Sequence, residues 1–216
     1  MAISAQLLKE VQREKRSGFR DALGLRVHRA ISWLQKAEQC KDHDSQYIFL
    51  WIAFNSAYAN ELGETRMAES KIYSHFIGRI VELDNTQSVF ELVWQKYAGA
   101  IRVLLENKYV FQPYWDCANG KESAQNWNEQ FKGAREAAHR ALARKDTAKV
   151  LDIIFNRLYT LRNQLIHGGA TWNSQVNRDQ LRDACQIMTD LMPIIIQVMM
   201  DHPKSHWGEA IYPVMD

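Results

Sequence analysis

Arg162 and His167 stand five positions apart near the end of a long apolar stretch, and two glycines follow them. A guanidinium can hold two phosphate oxygens at once, and an imidazole exchanges a proton near neutral pH. Asn163 adds a side chain that can both donate and accept a hydrogen bond. Few structural demands place these three residue types together at the end of an apolar helix. The combination therefore favours a site that handles phosphate esters.

The apolar spacing before this segment predicts a helix that begins near Thr147 and ends at Gly168 and Gly169. Five residues along a helix subtend about 140° and rise about 7.5 Å, so Arg162 and His167 do not lie one above the other. The glycines free the last turn to redirect the ring, and the carbonyl groups at a helix end favour a protonated imidazole. The two side chains could therefore converge on one cleft, or each could meet its counterpart from a second chain.

Residues 161–169 (LRNQLIHGG) resemble the HEPN superfamily. Members of that family are helical bundles that carry an arginine, then four to six residues, then a histidine, often with a polar residue directly after the arginine. An earlier aromatic-rich segment, residues 47–58 (YIFLWIAFNSAY), is similar to the family's second conserved element and holds Asn55 within it. The similarity covers residues 22–202, with an insertion at about residues 107–144.

The resemblance implies a metal-independent endoribonuclease that works as a homodimer, needs no cofactor and leaves a 2′,3′-cyclic phosphate. His167 would deprotonate the ribose 2′-hydroxyl or protonate the leaving oxygen, and Arg162 would stabilise charge on the phosphate. Asn163 would orient the phosphate or the histidine, with Asn55 as a supporting hydrogen-bond partner. Relatives include toxins paired with antitoxins and defence proteins, so an antitoxin or another protein is an expected partner besides RNA. Other relatives have lost catalysis, which leaves a nucleotide-binding, RNA-binding or protein-interaction module as the alternative.

Each of these residues also has an ordinary structural interpretation. Arg162 could form a surface ion pair, and His167 could bond a carbonyl at the helix end. Asn55 could satisfy a backbone carbonyl in the core, because a buried amide needs a partner. Trp172, which follows the glycines, could stack on a base or cover the edge of the bundle.

The composition predicts a helical protein of the cytoplasm. Of the 216 residues 46% are hydrophobic, 4 are proline and 10 are glycine, which favours long helices and a sizeable core. The net charge of +2 neither demands nor excludes a nucleic-acid partner. Cys40, Cys117 and Cys185 lack zinc-ligand spacing and indicate reduced thiols. The N-terminus lacks the apolar core of a signal peptide, and the most apolar window, residues 191–200, is too short to span a membrane.

Helical spacing of apolar residues continues through most of the chain and predicts an all-α bundle of six or more helices. Asp44 or Ser45, Thr147 and Asn177 are the predicted residues that cap helix starts. A kink is predicted at Pro193 in the last helix. The predicted helices span residues 22–39, 45–62, 68–83, 88–106, 129–144, 147–167 and 177–202.

The domain organisation predicted from these elements has three parts. Residues 1–21 form a charged N-terminal segment, residues 22–202 form the HEPN-like helical domain, and residues 203–216 form a C-terminal tail. Inside the domain, residues 107–128 hold proline, glycine and several aromatic residues without regular spacing. This part of the insertion is predicted to be rich in loops and packed by its own aromatic side chains.

Overall fold

The structure is a computed structural model that describes residues 3–58, 66–175 and 177–210, with residues 66–70 described by their backbone alone. Within these ranges the chain is helical and contains no β-strand, so the all-α prediction is confirmed. The chain divides into two compact units: Met1–Val89 with Trp172–Asp216, called the first unit, and Phe90–Thr171, called the second unit. The α-helices of the described residues are α1 (Ala5–Lys15), α2 (Asp21–Glu38), α3 (His43–Tyr58), α4 (Arg66–Leu83), α5 (Ser88–Glu91), α6 (Ala98–Glu106), α7 (Gln112–Ala118), α8 (Trp127–Ala143), α9 (Thr147–Ile166) and α10 (Arg178–Asp201).

The charged N-terminal segment is part of the first unit, because α1 buries one of its faces there. Ser4 accepts a hydrogen bond from the backbone N–H of Leu7 at 3.3 Å and so begins the helix. Ala5 and Leu8 are buried, and the backbone N–H of Ala5 donates to the Glu38 carboxylate on α2 at 2.9 Å. The segment is therefore an amphipathic helix that packs against the rest of the first unit.

The core of the first unit lies where α2, α3 and α10 pack together. α10 keeps its helical form through Pro193, which is buried. By length and composition alone, α10 is the one helix among the described residues that could cross a membrane, and 67% of its apolar window is buried inside the protein. A buried apolar helix of this kind is ordinary in a protein core. The core residues of α3 are Tyr47, Leu50, Trp51, Ala53, Phe54, Ala57 and Tyr58.

The caps of α3 and α10 differ from those predicted. Asp42 Oδ1 accepts from the backbone N–H of Ser45 at 2.8 Å and begins α3. Asp44 does not act as the cap, because it is buried and both of its oxygens accept from the Arg178 guanidinium at 2.7 Å. Asn177 precedes α10 in the left-handed conformation, with φ at 59°, and its side chain makes no capping hydrogen bond. The ion pair between Asp44 and Arg178 thus overrides the local preference of an aspartate for the cap position.

The start of α9 in the second unit also differs from the prediction. Asp146 Oδ1 accepts from the backbone N–H of Lys149 at 3.0 Å and caps the helix. Thr147 is buried, and its hydroxyl accepts from the Trp94 indole N–H at 2.9 Å. The hydroxyl therefore satisfies a tryptophan on another element instead of the backbone of its own helix.

The single helix predicted for residues 88–106 is divided into three pieces. α5 passes into a π-helical turn, Leu92–Lys96, and α6 begins after Tyr97. The backbone N–H of Tyr97 donates to the carbonyl of Leu92 at 3.0 Å, which is the i→i+5 bond of a π turn. This turn adds one residue and shifts the apolar face of α6 relative to that of α5.

Residues 107–128 contain more helix than predicted. Two short 3₁₀ turns, Lys108–Val110 and Glu122–Ala124, lie on either side of α7. The aromatic rings pack against one another, with the Tyr114 centroid 5.5 Å from Tyr109, 5.2 Å from Trp115 and 4.9 Å from Trp127. These four residues, Tyr109, Tyr114, Trp115 and Trp127, are together called the aromatic rim.

Candidate functional site

α9 carries the predicted site from the core of the second unit to its surface. Along the helix, Leu158 and Leu161 are buried, Arg162 and Asn163 are half-buried, and Ile166 is 44% exposed. The apolar stripe holds the first four turns in the core. The polar residues at the end of the helix therefore emerge at the surface on a rigid support.

Arg162 is held by neighbours on its own helix. Its Nη1 donates to Asn163 Oδ1 at 2.9 Å, and its guanidinium carbon lies 5.6 Å from the centre of the Tyr159 ring. Its Nε is buried, and no group among the described residues accepts from it. A buried N–H without an acceptor costs free energy, and a ligand oxygen reaches this donor only if the guanidinium turns toward solvent.

His167 ends α9 and is exposed. Its backbone N–H donates to the Asn163 carbonyl at 3.0 Å, whereas its ring makes no hydrogen bond to a described residue. Gly168 turns the chain with φ at 69°, and its N–H donates to the Leu165 carbonyl at 3.3 Å. The predicted helix end at the glycines is confirmed, and the imidazole is left open to solvent.

Gly169 has a steric reason to be glycine. A Cβ atom at this position would lie 3.3 Å from the carbonyl oxygen of Gln164. The N–H of Ala170 donates to that same carbonyl at 3.1 Å, which folds the chain closely over the helix end. Gly168 therefore allows the left-handed turn, and Gly169 allows the chain to pass close to the Gln164 carbonyl.

Within one chain, Arg162 and His167 do not form a pair. No hydrogen bond links the two side chains in the described part of the molecule, because the guanidinium is directed at Asn163 and Tyr159. Of the predicted site residues, Asn163 contacts Arg162 through its side chain and His167 through its backbone carbonyl.

The aromatic rim is a part of this surface that the sequence did not reveal. Gln164 donates from its side-chain amide to the Tyr109 carbonyl at 2.7 Å, and the Trp115 indole N–H donates to the same oxygen at 2.7 Å. Tyr109 is 44% exposed. Lys108 Nζ lies 5.2 Å and 5.4 Å from the centres of the Tyr109 and Tyr114 rings. A cation and an open aromatic ring therefore lie beside the last turn of α9.

Arg157 is a further residue that sequence reasoning missed, since its position in the apolar stripe gave no functional signal. It is only 3% exposed, and its Nε and Nη2 have no acceptor among the described residues. Its guanidinium carbon lies 4.5 Å from the Phe111 ring centre and 5.5 Å from that of Phe131. Burial lowers the pKa of Arg157 to about 10, and the charge of Glu106 acts in the opposite direction. Through Phe111, this buried cation holds the start of α7 against α9.

Asn55 and Trp172 lie in the first unit. Asn55 is on α3, and its Oδ1 is buried with no donor among the described residues. It therefore differs from the fully satisfied core amide that its position suggested.

Trp172 is 70% exposed, and its side chain contacts the carboxylate of Asp42. The pKa of Asp42 is held below its usual value first by the backbone N–H of Ser45, with a smaller contribution from the Trp172 side chain. The neighbouring Asn173 donates its backbone N–H to Asp44 Oδ2 at 3.2 Å. These contacts present the indole to solvent rather than burying it at the edge of the helices.

The comparisons with known proteins place this chain in no family. No protein-family model, no curated protein and no solved structure matches it. Among the described residues, no group of three or more histidine, cysteine, aspartate and glutamate side chains could hold a metal ion. The three cysteines are free thiols, and burial raises the pKa of Cys185.

Proposed function

We propose that this protein is a metal-independent endoribonuclease of the HEPN type, acting on RNA in the cytoplasm as a homodimer. The observation that carries the proposal is the end of α9, where the half-buried guanidinium of Arg162 and the exposed imidazole of His167 emerge at the surface. One side chain can receive a phosphate oxygen, and the other can move a proton. Arg162 lies in α9, and His167 is the residue that caps the C-terminal end of the same helix.

The reaction is an attack by the ribose 2′-oxygen on the neighbouring phosphorus. His167 takes the proton of the 2′-hydroxyl as the new O–P bond forms. The bond from phosphorus to the 5′-oxygen then breaks, and a protonated histidine supplies a proton to that oxygen. Arg162 stabilises the charge that develops on the phosphate oxygens. The products are a 2′,3′-cyclic phosphate and a free 5′-hydroxyl, so atoms and charges balance.

A dimer supplies what one chain lacks. Arg162 and His167 do not contact each other within one chain, and a proton must be removed at one oxygen and delivered at another. In a two-fold symmetric pair the same surface is used twice, so the partner's Arg162 can face His167 across the axis. His167, once protonated by the 2′-hydroxyl, then serves as the acid. Ile166 is 44% exposed next to His167, and its burial between two α9 ends would favour such a pair.

The aromatic rim extends the same surface toward the neighbouring nucleotides. Tyr109 offers an exposed ring on which a base can stack. Lys108, above the rim, offers a cation to the next phosphate. Asn163 holds Arg162 in place, while Trp172 and Asn55 remain supporting candidates in the first unit.

The decisive experiment follows cleavage of end-labelled RNA in the presence of EDTA. We expect His167→Ala and Arg162→Ala to slow single-turnover cleavage about a hundredfold or more, as for loss of a general acid–base group. His139→Ala and Arg140→Ala are matched controls, since both side chains are exposed on α8. Circular dichroism must show unchanged helix content, and mass spectrometry must find the cyclic phosphate. Cleavage that persists in both α9 variants would rule the proposal out.

A non-catalytic RNA-binding module is the second candidate. It is favoured by the contact of Arg162 with Asn163 and Tyr159, since a cleft built only for binding needs no Arg–His pair. This function predicts RNA binding that weakens with salt and yields no product.

If the protein is a ribonuclease toxin or a defence component, its expression slows growth, and His167→Ala relieves the effect. Co-purification of an antitoxin would then identify the protein partner.

A further inference from the structure

A groove of about 320 Å³ opens in the first unit between α4 and the residues that follow α10. Its basic side is formed by Lys71, His75, Arg79 and His206, and Phe76 and Trp207 form part of its floor. The Arg162 and His167 region belongs to the second unit. The groove is therefore a separate candidate site, and a ligand bound there would not depend on the proposed ribonuclease activity.

The basic side follows one face of α4. Lys71, His75 and Arg79 are four residues apart, so they lie one above the other along the helix. Such a row of like side chains destabilises a helix when all are charged. No carboxylate of a described residue lines the groove, and none pairs with these three side chains. The described part of the groove thus has an excess of positive charge without a counter-ion.

The basic groups converge on one place. Arg79 Nη1 donates to the backbone carbonyl of His206, and Arg79 Nη2 lies 3.5 Å from His75 Nε2. The guanidinium is therefore held across the groove, between α4 and the opposite wall. An anion that enters at this point meets side chains from both walls.

The aromatic floor is fixed in place. The Phe76 and Trp207 rings meet edge to face, with centroids 5.9 Å apart, and both residues are less than a tenth exposed. The Trp207 indole N–H donates to the His202 carbonyl at 3.0 Å, so its polar edge is already satisfied. The floor therefore offers a ligand apolar ring surface.

A buried arginine holds in place the residues after α10, which form the second wall of the groove. Arg26 is 1% exposed, and it donates to the carbonyl of Ala57 at 2.8 Å and to that of Gly208 at 3.2 Å. Burial lowers the pKa of Arg26 to about 10, against the charge of Glu209. Since this contact ties the residues after α10 to α2 and α3, the groove is preformed, as small-molecule sites usually are.

We propose that this groove binds a small phosphorylated molecule that carries a planar ring. The phosphate lies against Lys71, His75 and Arg79, and the ring lies over Phe76 and Trp207. The volume is at the lower end of the range for small-molecule sites, about 300–1,000 Å³, which suits a single ring with one phosphate. A nucleoside monophosphate and a simpler aryl phosphate share this chemistry.

Isothermal titration calorimetry at low salt tests the assignment with four probes: phenyl phosphate, AMP, inorganic phosphate and phenol. We expect at least one of the two ring phosphates to bind about tenfold more tightly than phosphate or phenol alone, because only a ring phosphate contacts both the basic side and the aromatic floor. Tighter binding of AMP identifies a nucleotide site, and equal or tighter binding of phenyl phosphate identifies a general aryl phosphate site. No binding of either ring phosphate, or phosphate binding as tightly as both, overturns the proposal.

Two variants and a control test whether the heat of binding measured by calorimetry comes from this groove. Lys71→Met and His75→Gln should each weaken the ring phosphate about tenfold, the loss of one charge-assisted contact. Lys41→Met is the control, since Lys41 is an exposed lysine of the same unit outside the groove lining. Lys71 is also exposed, so its replacement leaves the fold intact, and a thermal melt checks this. Affinity unchanged in both groove variants, or lowered equally by Lys41→Met, overturns the proposal.

Discussion

The side-chain amide of Gln164 donates to the backbone carbonyl of Tyr109 at 2.7 Å, although 55 positions separate the two residues along the chain. This bond ties the last turn of α9 to the aromatic rim. The Arg162 surface and an exposed tyrosine ring are therefore held together by one polar contact. Replacing either partner tests whether the rim belongs to the RNA surface.

Loss of the Tyr109 ring should weaken RNA binding. Base stacking on an aromatic side chain contributes about 1–3 kcal/mol per base, so Tyr109→Leu should raise the Kd for single-stranded RNA at least about fivefold. Tyr109→Phe keeps the ring and should bind as the wild type does. Fluorescence anisotropy with labelled RNA on the His167→Ala background measures binding without cleavage. Equal affinity of the Leu and Phe variants would remove the rim from the RNA surface.

Loss of the Gln164 amide should act through the position of the rim. Gln164→Leu removes one of the two donors to the Tyr109 carbonyl, and the Trp115 indole N–H remains. We expect a modest loss of stability, about 1 kcal/mol, and a larger loss of RNA affinity than stability alone explains. Urea unfolding and anisotropy give the two quantities. Gln125→Leu, at an exposed position of the same unit, is the control and should change neither.

Gly168 should tolerate asparagine but not alanine. Its φ of 69° is left-handed, where alanine is strained and asparagine is less so. Gly168→Ala should therefore lower the free energy of unfolding by about 1–2 kcal/mol, displace His167 and slow cleavage, and Gly168→Asn should restore most of both. Gly133→Ala on α8 is the matched control, because a Cβ there meets nothing within 4 Å and alanine favours a helix. Equal melting temperatures for the Ala and Asn variants of Gly168 would contradict the role given to its backbone.

The buried pair of Asp44 and Arg178 should make the first unit sensitive to acid. The hydrogen bonds from Arg178 hold the pKa of Asp44 below its usual value, with burial acting against them. Because the folded pKa is the lower one, the stabilisation is complete above the unfolded pKa of about 3.9 and is lost as the pH falls through the folded value. Because the Arg178 side chain is 24% exposed, Asp44→Asn should cost about 1.5–3 kcal/mol at neutral pH, the loss of hydrogen bonds to a charged group. The variant should also flatten the loss of stability below pH ~4.

Chemical unfolding between pH 2 and pH 7 measures this difference. Asp179→Asn provides the comparison, since that carboxylate is 74% exposed in a surface pair with Arg182. Such a pair contributes about 0–1 kcal/mol, so this variant should follow the wild type at every pH. An Asp44→Asn curve parallel to that of the wild type would show that the pair is not the acid-sensitive element.

Most of the long helices could be predicted from local pattern, whereas the break before α6, the short helix α7 and the contacts that build the site could not. The apolar stripe that ends at Leu165 and the glycines at 168 and 169 predicted the bounds of α9 within two residues, because both signals are local. Gln164 and Tyr109 are 55 positions apart, and no periodicity reports a bond of that kind. Arg157 occupied a core position in the stripe, so its pattern suggested packing rather than a buried cation between two phenylalanine rings.

The predictions of the helix caps were wrong for the same reason. Asp44 has the right residue type for a cap, but Arg178, which is 134 positions away, binds both of its oxygens. Thr147 likewise satisfies Trp94 rather than the start of its own helix. Local rules predict which residues can cap, and tertiary partners decide which of them do.

The composite dimer makes a prediction that separates it from a site within one chain. If His167 of one chain works with the partner's Arg162, a heterodimer of Arg162→Ala and His167→Ala contains one intact pair and one pair with both residues lost. Mixing the two inactive variants in equal amounts makes about half of the dimers mixed, so roughly a quarter of the wild-type cleavage should return.

The mixture should be unfolded and refolded together to exchange subunits, and sedimentation must first show that the wild type is dimeric. Each variant refolded alone is the control and should stay inactive. If Arg162 and His167 instead act within one chain, every chain in the mixture carries a broken site, and no activity returns. Recovered cleavage would show that the guanidinium and the imidazole meet across the two-fold axis. We expect this arrangement because Arg162 is directed at Asn163 and Tyr159 within its own chain, and not at His167.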